Sequence, residues 1–302
     1  MTHTNHPHEH NRRAMKFKMV FSIGLNFIIT LAEVIGGILS GSLALLSDAL
    51  HNFSDAMSLL LSYIAIRIGE REKNEKYTFG YKRAEILTAF VNSTVLVGVS
   101  LFLFTEAYKR FKHPNPIDTG LMLIVAIIGL IANLISVLLL HGHSHESINV
   151  RSAYLHLLSD TLSSVAVIIG GFAIRYWGIL WIDPAITILI SAYILKEGFE
   201  VLKHSVEILM EASPEVNIED VKKELENIDG VKNVHHIHLW RIGEKDIHFE
   251  CHIEVEDMKI SEAQRIIDEA EERLKKFGIT HVTVQLEINR CEEKELVGCG
   301  MK

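Results

Sequence analysis

Six long apolar segments dominate the first 210 residues of this 302-residue chain. A helix needs about 20 mostly apolar residues to cross the hydrocarbon core of a bilayer. Helices of that kind are predicted at 17–37, 43–69, 86–108, 118–140, 153–176 and 179–203. We therefore predict an all-α membrane domain of six transmembrane helices over residues 17–210, preceded by a His-containing cytosolic tail over residues 1–16.

Lysine and arginine in the short connections indicate the orientation of this domain. The N-terminal flank is basic, and the connection between the second and third segments carries Arg71, Lys73, Lys76, Lys82 and Arg83. The first-to-second and fifth-to-sixth connections contribute only Arg175, while the basic loop 109–117 opposes the trend. The balance predicts that both termini are cytosolic. Short loops without a long His-rich insert favour a bacterial plasma membrane.

After Pro214 the pattern changes to that of a soluble α/β module. It predicts a helix from about Asn217, strands at 231–241 and 246–256, a helix opened by a capping box of Ser261 and Gln264, and a strand at 281–288. The order α-β-β-α-β predicts an α+β ferredoxin-like cytosolic domain over residues 211–290, followed by a Cys-containing tail over residues 291–302.

Charge and cysteine content separate the two parts further. Residues 211–302 hold 22 Asp and Glu against 13 Lys and Arg, a net charge of −9, so the first 210 residues are near neutral within the total of −8. They offer no clustered basic face, which argues against nucleic-acid binding. The three cysteines, Cys251, Cys291 and Cys299, are too few for a disulfide framework and fit a reducing compartment.

A repeated motif within two apolar segments carries the chemistry. The second segment reads LHNFSDAMS from Leu50 to Ser58, and the fifth reads LHLLSDTLS from Leu155 to Ser163. A His and an Asp four residues apart share one face of a helix. The four predicted ligands are His51, Asp55, His156 and Asp160. Two nitrogen and two carboxylate donors suit tetrahedral Zn²⁺, although Cd²⁺, Co²⁺ or Ni²⁺ could compete.

Asp48 lies on nearly the same helix face, three residues before His51. It has no counterpart at Ala153, so we predict that it supports the site by orienting the His51 ring and does not bind the metal. Two aspartates and two neutral histidines carry a charge of −2, which one Zn²⁺ cancels. Because these ligands bind metal only when deprotonated, metal and protons compete, and alternating access to the site would exchange zinc for protons.

Three other interpretations compete with transport. The paired residues could form a structural hydrogen-bonded cluster, but two matching buried aspartates, each costing about 2.5 to 3.5 kcal/mol on insertion, need a stronger reason. A zinc enzyme would keep an open coordination position, whereas four ligands close the site, so we predict that the chain is not an enzyme. A membrane-anchored zinc sensor would leave the duplicated pairs unexplained.

Several stretches together resemble the cation diffusion facilitator family of zinc transporters: SLALLSDALHNFSDAMSLLLS at 42–62, KYTFGYKRAEIL at 76–87, LHLLSD at 155–160, and the HIHLW and HVTVQLE of the C-terminal part. The resemblance covers essentially the whole chain. It implies six spans, a metallochaperone-like cytosolic domain, a homodimer, and export of zinc against protons through the two repeated pairs.

The resemblance also implies a regulatory zinc site at His235, His252 and Glu287 in the cytosolic domain. The chain has Gln285 and Lys82 where some relatives have histidine, which puts in question a metal site between the loop 70–83 and this domain. The remaining strand histidines are His236, His238 and His248. Cys291 and Cys299 could capture zinc or be exposed thiols of a loose acidic tail.

Two histidine tracts lie outside the predicted elements. They comprise His3, His6, His8, His10, His141, His143 and His145. Such tracts are typical of weak metal collectors and equally of flexible tails.

Overall fold

The computed structural model describes residues 24, 27–141, 148–244, 246–291 and 294–298. The side chains of residues 59, 136, 139–141, 148–157 and 159 lie outside this description. So do the predicted tail 1–16, both histidine tracts and Cys299. The chain divides into two compact units, Met1–Leu61 with Val91–Val201 and Ser62–Phe90 with Leu202–Lys302.

Six helices occupy the described part of the chain before residue 210. They are α1 (Phe27–Ser40), α2 (Leu43–Gly69), α3 (Arg83–Lys112), α4 (Thr119–His141), α5 (Ile148–Trp177) and α6 (Ile182–Leu209). Each overlaps one predicted apolar segment. Among the described residues only α3 is long and apolar enough, by length and composition, to cross a membrane, and one such helix alone is weak evidence. The number of spans therefore stays a prediction.

Small residues and one carboxylate fix the start of α2. A Cβ at Gly37 of α1 would lie 2.9 Å from the main-chain nitrogen of Leu46, so only glycine lets the two helices approach this closely. Buried Asp183 of α6 accepts hydrogen bonds from the Ser42 hydroxyl at 2.5 Å and the Leu43 N–H at 2.9 Å. A carboxylate at a helix N-terminus satisfies free N–H groups and complements the helix dipole.

An apolar core joins α2, α4 and α5 within the same unit. It contains Ala44 and Leu45 of α2, Met122 and Ala126 of α4, and Val167 of α5, all almost completely buried. Because α2 and α5 share this core, their polar residues about two turns away, after Leu45 on α2 and before Val167 on α5, also lie near each other.

The C-terminal part has the predicted α-β-β-α-β order. Its elements are α7 (Ile218–Glu226), β1 (Val231–Arg241), β2 (Ile247–Val255), α8 (Ile260–Leu274), a short 3-10 turn (Lys275–Phe277) and β3 (Ile279–Glu287). The sheet order is β1-β2-β3, with β1 and β2 antiparallel and β2 and β3 parallel. Both helices pack on the sheet through Leu225, Ile266, Leu274 and Phe249. A small mixed sheet covered by helices agrees with the predicted ferredoxin-like class.

The predicted start of a helix near Asn217 is confirmed, and the predicted capping box of the second helix is wrong. The Asn217 side chain accepts a hydrogen bond of 3.0 Å from the Glu219 N–H at the start of α7. Helix α8 begins at Ile260, so Ser261 already lies within its first turn. The cap forms instead between the Lys259 N–H and the Glu262 carboxylate, at 3.2 Å. Gln264 bonds to Asp268.

The described residues of the C-terminal tail pack against β1, which corrects the expectation of a loose tail. The strand bulges at His236, whose φ is 52°. The His236 and Ile237 N–H groups donate to the carbonyls of Glu295 and Leu296 at 3.1 and 2.8 Å. The bulge thus turns two main-chain donors toward the tail.

Candidate metal sites

Three predicted ligands converge between α2 and α5. His51 and Asp55 lie one turn apart on α2, with Nε2 of His51 3.6 Å from Oδ2 of Asp55. One donor atom each from His51, Asp55 and Asp160 lies within 4.8 Å of the others. His51 and Asp160 are buried and Asp55 is half-buried. We call these three residues the helical cluster.

The fourth predicted ligand, His156, lies on α5 one turn before Asp160. Its side chain is outside the described part, so its approach to the cluster stays a prediction. The spacing repeats that of His51 and Asp55, which places His156 on the Asp160 face of α5.

Asp48 is engaged by α5. It accepts hydrogen bonds from the hydroxyls of Ser163 and Ser164, the latter at 3.1 Å. Asp48 is also 1 % exposed and lies outside the helical cluster as a donor. The His51 ring meets Tyr193 of α6 edge-on at a centroid distance of 6.1 Å. These contacts hold the metal-facing turns of α2 in place.

The donor set of the helical cluster fits a divalent transition metal. One imidazole and two carboxylates within this distance can share one ion, and imidazole nitrogen excludes a site built for Ca²⁺ or Mg²⁺ alone. Buried aspartates in an apolar helix are costly unless a cation or protons neutralise them. The site is therefore suited to exchange between a metal ion and protons.

The second cluster is built on the three-stranded sheet of the C-terminal part. His235 of β1 and His252 of β2 are direct cross-strand partners, and Glu287 of β3 lies two residues beyond Gln285, the partner of His252. The Glu287 carboxylate lies 3.0 Å from His235 Nε2 and 3.2 Å from His252 Nδ1. Strand register alone places these three side chains on one face. All three predicted residues are thus brought together.

Cys291 joins them as a fourth possible donor. Its sulfur lies 3.6 Å from His252 Nδ1 and 3.6 Å from Glu287 Oε2. We call His235, His252, Glu287 and Cys291 the sheet cluster. Cys291 is disulfide-bonded in this structure, which the cysteine content did not predict. A sulfur in a disulfide is no thiolate ligand, so Cys291 can bind metal only after reduction.

The surroundings of His252 in the sheet cluster favour its neutral form. Burial, aided by the charges of His236, His235 and Arg290, lowers the pKa of His252 against the opposing effect of Glu287. Asn233 Oδ1 lies 2.9 Å from His235 Nδ1, which leaves His235 Nε2 directed at Glu287. A ligand histidine held through its other nitrogen is typical of protein metal sites.

The other strand histidines and Lys82 are not among the donors of either cluster. The ring of His236 lies 4.5 Å from the ring of His252 in a tilted arrangement and 4.9 Å from the ring of His238 in an edge-on arrangement. His248 lies beside His281, and burial followed by that neighbour lowers the pKa of His248. Lys82 forms an ion pair of 2.5 Å with Asp246.

Cys251 is the other cysteine in the described part of the chain, and its thiol is a poor nucleophile. Burial raises the pKa of the Cys251 thiol, so this residue serves the core of the sheet.

Sequence reasoning underrated Cys291 and overlooked Asn233. Cys291 lies four residues after Glu287, beyond the end of β3, where strand alternation no longer predicts the direction of a side chain. Asn233 is two residues before His235, so it shares its strand face. That periodicity is the signal that could have identified it.

Comparison with known proteins gives a consistent match over both parts of the chain. Residues 19–210 match the family model of the cation efflux transmembrane domain, and residues 213–289 match that of the cytoplasmic domain of cation efflux proteins. A cadmium, cobalt and zinc/H(+)-K(+) antiporter of Bacillus subtilis (strain 168) is 38% identical over 98% of this chain and 96% of its own length. Zinc transporter ZitB of Pectobacterium atrosepticum is 41% identical over 96% of this chain and 90% of its own. The metal cation efflux system protein CzcD of Cupriavidus metallidurans is 38% identical over 96% and 92%.

Proposed function

Since this chain belongs to the cation efflux family, as the matches to both of its domains show, we propose that it exports Zn²⁺ from the cytoplasm in exchange for protons. Family membership makes the chain a membrane transporter and confirms two expectations, the resemblance to cation diffusion facilitators and the absence of an enzymatic role.

The convergence of His51, Asp55 and Asp160 is the observation that carries this proposal. With His156 as the fourth ligand, the two helices would bind Zn²⁺ through two nitrogens and two oxygens. The ion cancels the −2 charge of the ligands, and protons replace it when it leaves. Alternating exposure of this site to the two sides of the membrane then couples outward zinc to inward protons.

The metal range follows the donor chemistry. Nitrogen and carboxylate ligands also accept Cd²⁺ and Co²⁺, which the Bacillus subtilis relative carries in its name. A broader range of Zn²⁺, Cd²⁺ and Co²⁺ is therefore the second candidate, and zinc is the metal common to that relative and to ZitB.

The topology that we propose has six spans, both termini in the cytosol, and a bacterial plasma membrane as its location. Its membrane domain covers residues 17–210 and its cytosolic ferredoxin-like domain covers residues 211–290. The chain would work as a homodimer joined through the cytosolic domains. The match to a cytoplasmic cation efflux domain supports this arrangement.

We also propose a regulatory role for the sheet cluster. Zinc bound by His235, His252 and Glu287 would fix the face of the cytosolic sheet, draw two protomers together and raise the transport rate. The 3.0 and 3.2 Å contacts to Glu287 support a shared ion at this place.

Zinc flux into proteoliposomes under an imposed pH gradient tests the transport site. We expect Asp55→Ala and Asp160→Ala to abolish gradient-driven uptake, because each removes a charged ligand. Asp229→Ala, at a side chain that is 97% exposed in the cytosolic domain, is the matched control and should transport like the parent. Dimer assembly is measured in parallel. Parent-like flux in both site variants would refute the assignment.

A separate titration tests the regulatory site. Substituting His235, His252 and Glu287 with alanine should raise the zinc concentration needed for half-maximal flux and leave part of the flux in place, because the ligands of the transport site are unchanged. Complete loss of flux would instead assign these residues to the stability of the domain.

A further inference from the structure

A buried carboxyl group of α1 lies outside both metal clusters. Glu33 is 1% exposed. Asn52 of α2 donates to its Oε2 over a long 3.4 Å, and its Oε1 has no hydrogen-bond partner among the described residues. An ionised carboxylate with so little support is unfavourable in an apolar environment, and ionisable groups within membrane helices are usually functional.

Helix α4 is shaped to receive this carboxyl group. A Cβ at Gly129 would overlap Oε1 of Glu33, so glycine leaves the space that the carboxyl fills. Asn133 lies one turn further on the same face, is 1% exposed, and its Nδ2 has no partner among the described residues. The Oδ1 of Asn52 is in the same condition. The Glu33 carboxyl thus lies between Asn52 of α2 and Gly129 of α4, with acceptor atoms to spare on Glu33 and on Asn52, where a proton would be stabilised.

Two carboxylates on neighbouring helices act on Glu33. They are Asp48 of α2 and, more weakly, Asp160 of α5, while α4 contributes the neutral Asn133 among the described residues. The hydroxyls of Ser163 and Ser164 donate to Asp48 and offset part of the cost of burying it as an anion. When ionised, each of these two carboxylates repels a negative charge on Glu33, and a proton on Glu33 removes that repulsion.

Binding of Zn²⁺ would favour the ionised form of Glu33 instead of the protonated form. Zn²⁺ at Asp160 cancels one of the two repelling charges, and a positive ion nearby favours the ionised form of Glu33. The proton on Glu33 is therefore released as zinc binds, and by linkage a proton on Glu33 weakens zinc binding by the same factor. Asn52, the direct neighbour of His51 on α2, joins the Glu33 carboxyl to the helix that carries the metal ligands.

We propose that Glu33 is a proton-binding site of the transporter, separate from the metal ligands, which is occupied when the helical cluster is empty and vacated when Zn²⁺ binds. The proton passes between the carboxyl group and water, and no other bond is made or broken. This inference rests on the proposed zinc–proton exchange.

The experiment counts protons per zinc. Proteoliposomes with a fixed pH gradient, equal K⁺ on both sides and the membrane potential clamped at zero are used to find the zinc gradient at which net flux reverses. Glu33→Gln keeps the shape of the side chain and cannot titrate. We expect it to carry zinc with one proton fewer, which at a gradient of one pH unit moves the reversal ratio about tenfold. Glu200→Gln, at a 66% exposed residue of α6, should match the parent.

The outcomes distinguish a failure of the zinc–proton exchange from a failure of the proposed role of Glu33. Zinc transport by the parent without proton movement would defeat the exchange mechanism itself, whatever the variants do. If the parent exchanges protons and Glu33→Gln reverses at the same ratio, the carboxyl is structural and the inference is wrong. A parental reversal ratio that follows a K⁺ gradient only while Glu33 is present would assign the pocket to K⁺, which also overturns it.

Two further variants decide the matter if Glu33→Gln does not assemble. Glu33→Asp keeps a titratable group in a shorter side chain, and Gly129→Ala displaces the carboxyl without removing any ionisable group. Both should retain the parental proton count and shift the pH of half-maximal flux. Unchanged pH profiles in both would overturn the inference.

Discussion

The helical cluster and the sheet cluster present imidazole and carboxylate donors from two different kinds of scaffold, packed helices and a hydrogen-bonded sheet. Main-chain hydrogen bonds of a helix are internal, so α2 and α5 can shift against each other without breaking any of them. Three of the four donors of the sheet cluster come from strands that are hydrogen-bonded to one another, with His235 paired to His252 and Glu254 to Glu287. A transport site needs the first kind of scaffold, and a regulatory site benefits from the second.

The two clusters also differ in how much of their donor side chains is exposed to solvent. The His235 and Glu287 side chains are 0% and 2% exposed and the His252 side chain is 19% exposed, whereas the Asp55 side chain, the most exposed of the helical cluster, is 28% exposed. An ion in the sheet cluster would be enclosed by well-packed ligands, while the helical cluster keeps a ligand within reach of an entering ion. The comparison therefore predicts slow exchange at the sheet and fast exchange between the helices.

The largest separation between the clusters is expected from a pair of matched substitutions. Asp160→Asn and Glu287→Gln each keep the size of the side chain and remove one charge. We expect Asp160→Asn to lower zinc flux by at least about 100-fold, since even residues that only support ligands contribute about 10- to 100-fold to metal affinity. Glu287→Gln should leave maximal flux within about twofold. Flux assays over a range of zinc concentrations measure both, and equal losses would break the comparison.

The redox state of Cys291 gives the next largest effect. Under reducing conditions its thiolate can join the sheet cluster, so Cys291→Ser should weaken zinc binding to the cytosolic sites by about 10- to 100-fold. Without reductant the parent should bind zinc as weakly as the variant, because the disulfide withholds the sulfur. Calorimetric zinc titrations of the full chain, with and without a phosphine reductant, check this. Cys251→Ser, at a buried cysteine outside the cluster, controls for the loss of a thiol.

Flux provides the contrasting measurement for the same variants. The helical cluster contains no cysteine, so the maximal flux of Cys291→Ser should equal that of the parent in either redox state. A redox-dependent maximal flux in Cys291→Ser would mean that the reductant acts elsewhere in the chain.

Local periodicity predicted the strands of the cytosolic domain to within about two residues at their ends, because alternation of apolar and polar side chains is fixed by the pleat. The N-cap of α8 was misplaced by two residues, at Ser261 instead of Lys259, because the Glu262 carboxylate bonds to the Lys259 N–H. The docking of the tail at the His236 bulge could not be predicted, because it depends on contacts between segments distant in the sequence.

The same distinction applies to the sites. His51 and Asp55 share a helix face by spacing alone, and the repeat identified Asp160 as their partner. Cys291 approaches His252 through the path of a chain segment without regular structure, which no spacing rule describes. Likewise, the sequence contains Glu33 as one acidic residue in an apolar segment, but only packing shows that Gly129 makes room for it.

The smallest expected effect tests how firmly the sheet holds its ligands. Asn233 fixes the His235 ring through Nδ1, so Asn233→Ala should allow that ring to rotate and weaken zinc binding at the sheet cluster by about tenfold, the lower end for residues that orient a ligand. Asn233→Asp keeps an acceptor at the same position and should bind nearly as the parent does. Zinc titration of all three proteins measures this. If Asn233→Ala binds zinc like the parent, the strand register alone orients His235, and the hydrogen bond to Asn233 is not needed to hold the ring in place.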